Sequence, residues 1–184
     1  MEEKPVYVLE ESKNIFDGRI LTVKLERLRF DDGKKIEMEL VRHPGAAAVV
    51  PVREDGRVVL IRQYRYTIDN YIWEIPAGKF EGKEDSEICA AREMEEEVGY
   101  RAGEILKLGS ILTTPGFSDE RIDLFLARNL IKVERRLEPD EFINVVEVPL
   151  DEALEMVASG VIEDAKTVIA LLLTARKLNG GSSE

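Results

Sequence analysis

The sequence predicts an α+β protein: layers of helix and sheet, preceded by a small N-terminal antiparallel sheet. Three observations lead there. Residues up to Val41 alternate between apolar and polar at the two-residue period of strands. Beyond Gly45, short apolar runs separated by turn residues are interrupted by one helical pattern and followed by two more. Finally, 184 residues make roughly one domain. With 44% hydrophobic and 34% charged residues, the chain has the composition of a folded protein, not a disordered one.

Arg19 to Phe30 reads as a strand, Asp31-Asp32-Gly33 as a hairpin turn, and Lys34 to Val41 as the returning strand. Gly45 to Val52 is almost continuously apolar, as a strand covered on both faces should be. Glu54-Asp55-Gly56 predicts a turn into a return strand, Arg57 to Tyr66. Tyr71 to Ile75 leads into the loop Pro76-Ala77-Gly78. Asp85 or Ser86 can cap a helix that reaches Val98 and stops at Gly99. Strands follow near Leu106–Thr113, Ile122–Ala127 and Ile143–Val148, then helices at Leu150–Ser159 and Ala165–Leu178. The Gly/Ser tail from Asn179 should fray. The expected organisation is therefore 1–44, an N-terminal β-region; 45–178, the main domain; and 179–184, a tail.

Charge and composition exclude several function classes. Lys plus Arg total 26 against 37 Asp plus Glu, a net charge of −11, which disfavours nucleic-acid binding. The longest apolar run is Val168 to Leu173, far short of the ~18 residues of a membrane span. The acidic start MEEKPVYVLE lacks the form of a signal peptide, so the cytoplasm is the expected location. Cys89 is the only cysteine, which excludes an intramolecular disulfide. His43 is the only histidine; it reads as a surface or turn residue before Pro44 and makes histidine-based zinc or serine chemistry a poor fit.

The helix after Asp85 carries the chemistry. On a wheel of 100° per residue, Ile88, Ala91, Met94 and Val98 form an apolar stripe, with Glu93, Glu96 and Glu97 almost opposite. Glu93 and Glu97 are a like-charge i,i+4 pair, which is mildly destabilising. Glu95, Glu96 and Glu97 occupy the last turn, where the helix dipole disfavours each by about 0.3–1 kcal/mol. Arg92 is placed to relieve only Glu96. A divalent cation would reverse these penalties, and clustered carboxylates are hard ligands suited to Mg²⁺ or Mn²⁺.

From Gly78 to Tyr100 the spacing of Gly78, Glu84, Arg92, Glu93, Glu96, Glu97 and Gly99 resembles the Nudix box. This is a loop–helix–loop motif of hydrolases that cleave nucleoside diphosphates linked to another group. Tyr100 stands where the motif usually has an aliphatic residue. The resemblance covers roughly Gly45 to Leu178 and implies an α/β/α sandwich around a mixed sheet. It further implies that Glu93 and Glu97 are the main metal ligands, that Glu96 is an additional ligand or holds a water, and that the Ala77 carbonyl completes one site. Arg92 would orient the glutamates, and Glu84 would hold the loop.

Thr114-Pro115-Gly116-Phe117-Ser118-Asp119-Glu120, with Pro115 sixteen residues past Gly99, is similar to the ADP-ribose pyrophosphatase branch of that family. So are Arg62 to Tyr66 and Trp73 to Gly78. This resemblance implies Mg²⁺-dependent hydrolysis of ADP-ribose to AMP and ribose 5-phosphate. It implies that Arg65 pairs with phosphate, that Glu120 touches the terminal ribose or the metal, and that Phe16, Arg27 and Arg42 help stack the adenine. Glu141, with Glu138 second, would position the water; Pro139 stands where relatives often carry an acid. Trp73 and the tyrosines read as core. The branch also implies a homodimer through the N-terminal region, where Ile20, Leu21, Val23, Leu25, Leu28, Ile36, Met38 and Leu40 exceed what a solvated sheet should expose. Three alternatives remain: a hydrolase of another nucleoside diphosphate sugar or dinucleotide, a non-catalytic nucleotide sensor, and a scaffold with an acidic docking face.

Overall fold

The computed structural model describes residues 6–139 and 141–180. Asn179 and Gly180, expected to begin a frayed tail, are helical; the rest of that tail, from residue 181 onward, lies outside the described residues, as do the first five residues of the acidic start. The chain forms two compact units, Met1–Gly45 with Leu112–Arg121, and Ala46–Ile111 with Ile122–Glu184.

The first unit is built on an antiparallel sheet of β1 (Tyr7–Asp17), β2 (Thr22–Phe30) and β3 (Lys35–Arg42). The β2–β3 register pairs Thr22 with Arg42 and Arg29 with Lys35. Gly33 closes the turn at φ 82°, a left-handed conformation that favours glycine. Cross-strand ion pairs decorate the sheet: Arg27 meets Glu11 at 2.9 Å and Glu37 at 3.1 Å, and Arg29 meets Glu10 at 2.7 Å. The 112–121 segment joins through Val41, whose N–H donates to the Phe117 carbonyl at 2.8 Å. Of the residues expected to be exposed, Ile20 is exposed and Leu21 is half-buried, but most of the exposure lies on β1 and not on β2 and β3. Val8, Leu9, Ile15 and Phe16 are exposed, whereas Val23, Leu25, Leu28, Ile36, Met38 and Leu40 are half-buried.

The second unit holds two sheets. One has the order β10-β5-β6, from β5 (Arg57–Arg65), β6 (Asn70–Glu74) and β10 (Ile143–Pro149). The other has the order β7-β4-β9-β8, from β4 (Ala46–Pro51), β7 (Ala77–Lys79), β8 (Tyr100–Leu112) and β9 (Arg121–Lys132). β4 is parallel to β9 and antiparallel to β7, so the sheet is mixed. The helices are α1 (Ser86–Val98), α2 (Leu150–Ala158) and α3 (Ala165–Gly180). One expectation fails here: β5 does not return along β4. Their ladder pairing is limited to an isolated Val52–Val58 bridge just past β4, and the two strands belong to different sheets.

Strand alternation builds the layers. Ala46, Ala48 and Val50 join Val58, Leu60, Leu124 and Leu126 beneath Ala153 of α2 and Ala170 and Leu171 of α3. Their neighbours Ala47 and Val49 join Val59, Ile61 and Phe125 beneath Cys89, Ala90, Met94 and Val98 of α1. The small side chains of β4 let α1 approach closely, and every residue of that strand is buried. This is the expected α/β/α layering. Trp73 packs on the first cluster and Tyr100 is buried in the second, both as expected, whereas Tyr7, Tyr66 and Tyr71 are exposed.

Candidate functional site

Asp85 is the N-cap residue of α1, but the expected side-chain cap is not made. Asp85 accepts the Cys89 N–H through its backbone carbonyl at 3.0 Å. Gly99 ends the helix at φ 70° and donates to the Glu95 carbonyl at 3.1 Å. The buried face is rotated from the wheel's expectation. Ile88 is 57% exposed, while Cys89, Ala90, Glu93, Met94, Glu97 and Val98 are buried against β4 and β7. The glutamates therefore do not face away from the core. Two of them are driven into it by the packing of the small Cys89–Ala90 side.

Glu97 is 2% exposed and accepts the Ala77 N–H at 2.9 Å. Burial pushes its carboxyl well above the usual range, Ala77 opposes this, and Glu93 and Glu141 add to it. Burial likewise raises Glu93 to about 6, against the attraction of Arg92, with Glu96 and Glu141 raising it further. Glu93 lies directly over Gly78: a Cβ there would sit 1.9 Å from its Oε1. Any side chain at position 78 would expel the carboxylate.

Arg92 is the hub. Its Nη1 donates to Glu93 at 2.8 Å and to Glu96 at 3.1 Å, and its Nη2 donates to Glu84 at 2.9 Å. It thus relieves three glutamates, not Glu96 alone. Glu84 also accepts the Glu81 N–H at 2.7 Å and so ties the loop to the helix. Glu95 is satisfied separately by the fork of Arg101, at 2.7 and 3.0 Å. Cys89 is inert, its buried thiol pushed up to about 12.

Arg65 stands beside this cluster, and its charge acts on Glu97. Its fork is already engaged: Nε and Nη2 bond the buried Glu74 at 2.6 and 2.8 Å. The expected two-pronged grip on phosphate is therefore not available through that edge. Lys166 also bonds Glu74 and meets Asp164 at 3.0 Å. Burial alone would raise Glu74, but Arg65 and Lys166 outweigh it and hold the carboxyl below its ordinary value. Asp164 in turn caps α3, accepting the Thr167 N–H at 3.0 Å and its hydroxyl at 2.6 Å. Thr167 then accepts the Ile75 N–H at 2.9 Å. The sequence reading missed Glu74, Asp164, Lys166 and Thr167. The one available signal was Asp164 at the N-cap of a helical pattern.

Glu138 and Glu141 line a cavity of about 580 Å³ with Gln63, Arg65 and Phe142. Glu141 accepts the Glu138 N–H at 2.8 Å. Among the two, Glu141 is the one whose charge acts on Glu93 and Glu97. The structure thus brings together Arg65, Ala77, Gly78, Glu84, Arg92, Glu93, Glu96, Glu97 and Glu141 in the second unit.

The remaining candidates belong to the first unit. Arg42 meets Asp119 at 3.2 Å and Glu26 at 3.5 Å. Glu120 accepts the Thr113 hydroxyl at 2.7 Å and lies 3.6 Å from His43 Nδ1. His43 is neither the surface residue nor the turn residue expected: it lies in irregular chain after β3, is largely buried and accepts the Gly45 N–H at 3.1 Å. Phe16 is exposed and pairs with Val23, one row from the Thr22–Arg42 pair. Arg27 lies four rows further along β2, about 14 Å at strand rise, and is held by Glu11 and Glu37.

The donor chemistry fits a divalent cation. The carboxylates are hard ligands, two are buried, and their mutual repulsion is incompletely neutralised by Arg92. Among the described residues no three acidic, histidine or cysteine side chains already converge on one point. Two outcomes follow. Gly78→Ala should keep the fold, because only the end of the Glu93 side chain must move. It should weaken divalent-ion binding by about tenfold or more, measured by titration calorimetry. The second concerns pH. Glu93 and Glu97 hold protons more tightly folded than unfolded, so their stabilising contribution is full below about 4.5 and is lost as pH rises through about 6 and above. With chelator present, melting temperature should fall from pH 5 to pH 7. Glu97→Gln should flatten that slope and raise the value at pH 7.

The family model described as NUDIX domain matches residues 41–171. An ADP-ribose pyrophosphatase of Bacillus subtilis (strain 168) is 40% identical over 173 residues, covering 93% of this chain and 91% of that protein. A methanol dehydrogenase activator of Bacillus methanolicus is 41% identical over 172 residues, covering 92% and 91%. A crystal structure titled as an ADP compounds hydrolase superposes with a TM-score of 0.86 over the whole of both chains at 23% identity, a likeness of fold. The motif from Gly78 to Gly99, the layered fold around it and these matches have one reading: the chain belongs to the Nudix family.

Proposed function

We propose that this protein hydrolyses the pyrophosphate of ADP-ribose to AMP and ribose 5-phosphate in the cytoplasm, with Mg²⁺ as cofactor and Mn²⁺ as an alternative. The observation that carries this reading is the buried pair Glu93 and Glu97, two carboxylates kept together at an energetic cost that Arg92 and the Ala77 N–H offset in part and a bound cation would offset further. Glu93, Glu96, Glu97 and the Ala77 carbonyl would hold the ion. When bound, such an ion neutralises the diphosphate and acidifies a coordinated water. Arg92 holds Glu93 and Glu96 in position, and Glu84 fixes the preceding loop to it. Glu141 takes the proton from the attacking water. The water oxygen forms a bond to one phosphorus, the bridging P–O bond breaks, and its electron pair leaves on the other phosphate. Arg65 supports the site chiefly by its charge and by bracing Glu74. Glu120 would touch the terminal ribose or help hold the ion.

The buried carboxylates act on the diphosphate and not on the groups it joins, so the second reading is hydrolysis of a different nucleoside diphosphate sugar or dinucleotide. A panel of such compounds with Mg²⁺, with products identified by chromatography, separates the two readings. ADP-ribose should be turned over with the highest kcat/KM. In the same assay Glu141→Gln should lower kcat by about 10²-fold with divalent-ion affinity intact, while Glu138→Gln should have little effect. A reversed pattern would move the base to Glu138.

We also propose a homodimer formed through residues 1–44, with Phe16, Arg27 and Arg42 of one chain serving the adenosine of its partner. The exposed Val8, Leu9, Ile15 and Phe16 of β1 support it. Among the described residues no helix is long and apolar enough to cross a membrane. Light scattering at micromolar concentration should give twice the 20.8 kDa chain mass; a single-chain mass would exclude the dimer.

A further inference from the structure

We infer that Gln63 is a positioning residue that holds the attacking water against Glu141; the inference rests on the pyrophosphatase reading above. Gln63 is 7% exposed, and its Oε1 is buried without a hydrogen bond from any described residue. It lines the same cavity as Arg65, Glu138 and Glu141. Strand alternation puts it on the face of β5 that carries Val59 and Ile61, the side of the core covered by α1. Ile143 is its partner across the strand pair, so Glu141 approaches from two residues upstream of that position.

A buried acceptor without a donor is destabilising, and folded chains rarely retain one without a use. The ligand it awaits must supply a donor. A diphosphate at neutral pH offers only acceptor oxygens on its bridging core, and Glu141 is itself an acceptor when ionised. Water has two O–H groups, so one molecule can donate to Gln63 Oε1 and to Glu141 together. The arrangement leaves an oxygen lone pair directed at phosphorus. Gln63 thereby sets the orientation of the water, and Glu141 takes its proton.

The test is Gln63→Met, close in size and lacking the acceptor, assayed in the full chain with ADP-ribose and Mg²⁺. The expected result is a fall in kcat of about 10–100-fold, KM within about twofold of wild type, and a melting temperature equal to or above wild type. Gln63→Glu, which keeps an acceptor oxygen, should recover part of the lost kcat. Unchanged kcat in Gln63→Met would overturn the inference. So would a raised KM with kcat intact, which would assign the amide to a sugar hydroxyl. Equal losses of kcat and melting temperature in both variants would make its role structural and overturn it as well. Wild-type inactivity on the whole substrate panel would remove the pyrophosphatase reading, and the inference with it.

Discussion

Two carboxylates buried side by side dictate most of what surrounds them. Glu93 and Glu97 sit on the packed face of α1, where desolvation and mutual repulsion both oppose ionisation. The neighbouring residues are arranged around that penalty. Arg92 bonds Glu93 and distributes its remaining donors to Glu84 and Glu96, the Ala77 N–H serves Glu97, and Gly78 leaves room for the Glu93 carboxylate. The bareness of β4, with alanine at 46, 47 and 48, lets the helix come close enough for this to happen. A site built this way holds carboxylates with raised proton affinity, and a cation bound there would compete with the protons, coupling its binding to pH and stability through the same groups.

A second buried charge system stabilises the floor of the site. Glu74 on β6 is held by Arg65 from β5 and by Lys166 from α3, and Asp164 links that helix end to the Ile75 backbone through Thr167. Removing one partner from such a buried set typically costs about 3–5 kcal/mol. The system crosses from sheet to helix, which makes it a brace and not surface decoration. It also explains why Arg65 is poorly suited to wrap a phosphate: its fork is committed to Glu74, and what reaches the cavity is mainly its charge. Gln63, two residues earlier on the same face, is the group on that strand with an uncommitted polar atom.

Much of this was legible in the residues. The spacing from Gly78 to Gly99 identified the chemistry, because glycines, an arginine and glutamates at fixed intervals along a helix have few other uses. Alternation located nearly every strand, and Gly99 marked the end of α1. The wheel of α1 misled because hydrophobicity alone was used to choose the buried side. Small residues, Cys89 and Ala90, were the better guide, since they permit close approach to β4, and the glutamates between them followed. The supposed β4–β5 hairpin failed for a related reason. A turn signal reports that the chain reverses, not that the two strands share a sheet, and here they diverge after one bridge.

By itself, then, the sequence determined which local elements form and which side chains make up the acidic cluster, because both depend on neighbours within a few turns of chain. Tertiary structure decided which carboxylates lose their water, that Glu141 and not Glu138 acts electrostatically on Glu93 and Glu97, that Arg65 is bound to Glu74, and that Gln63 lies unpaired in the cavity. These depend on groups far apart in sequence, Glu74 with Lys166 and Glu97 with Glu141. Burial and charge at such sites are set by whatever the folded chain brings alongside, and no local pattern records it.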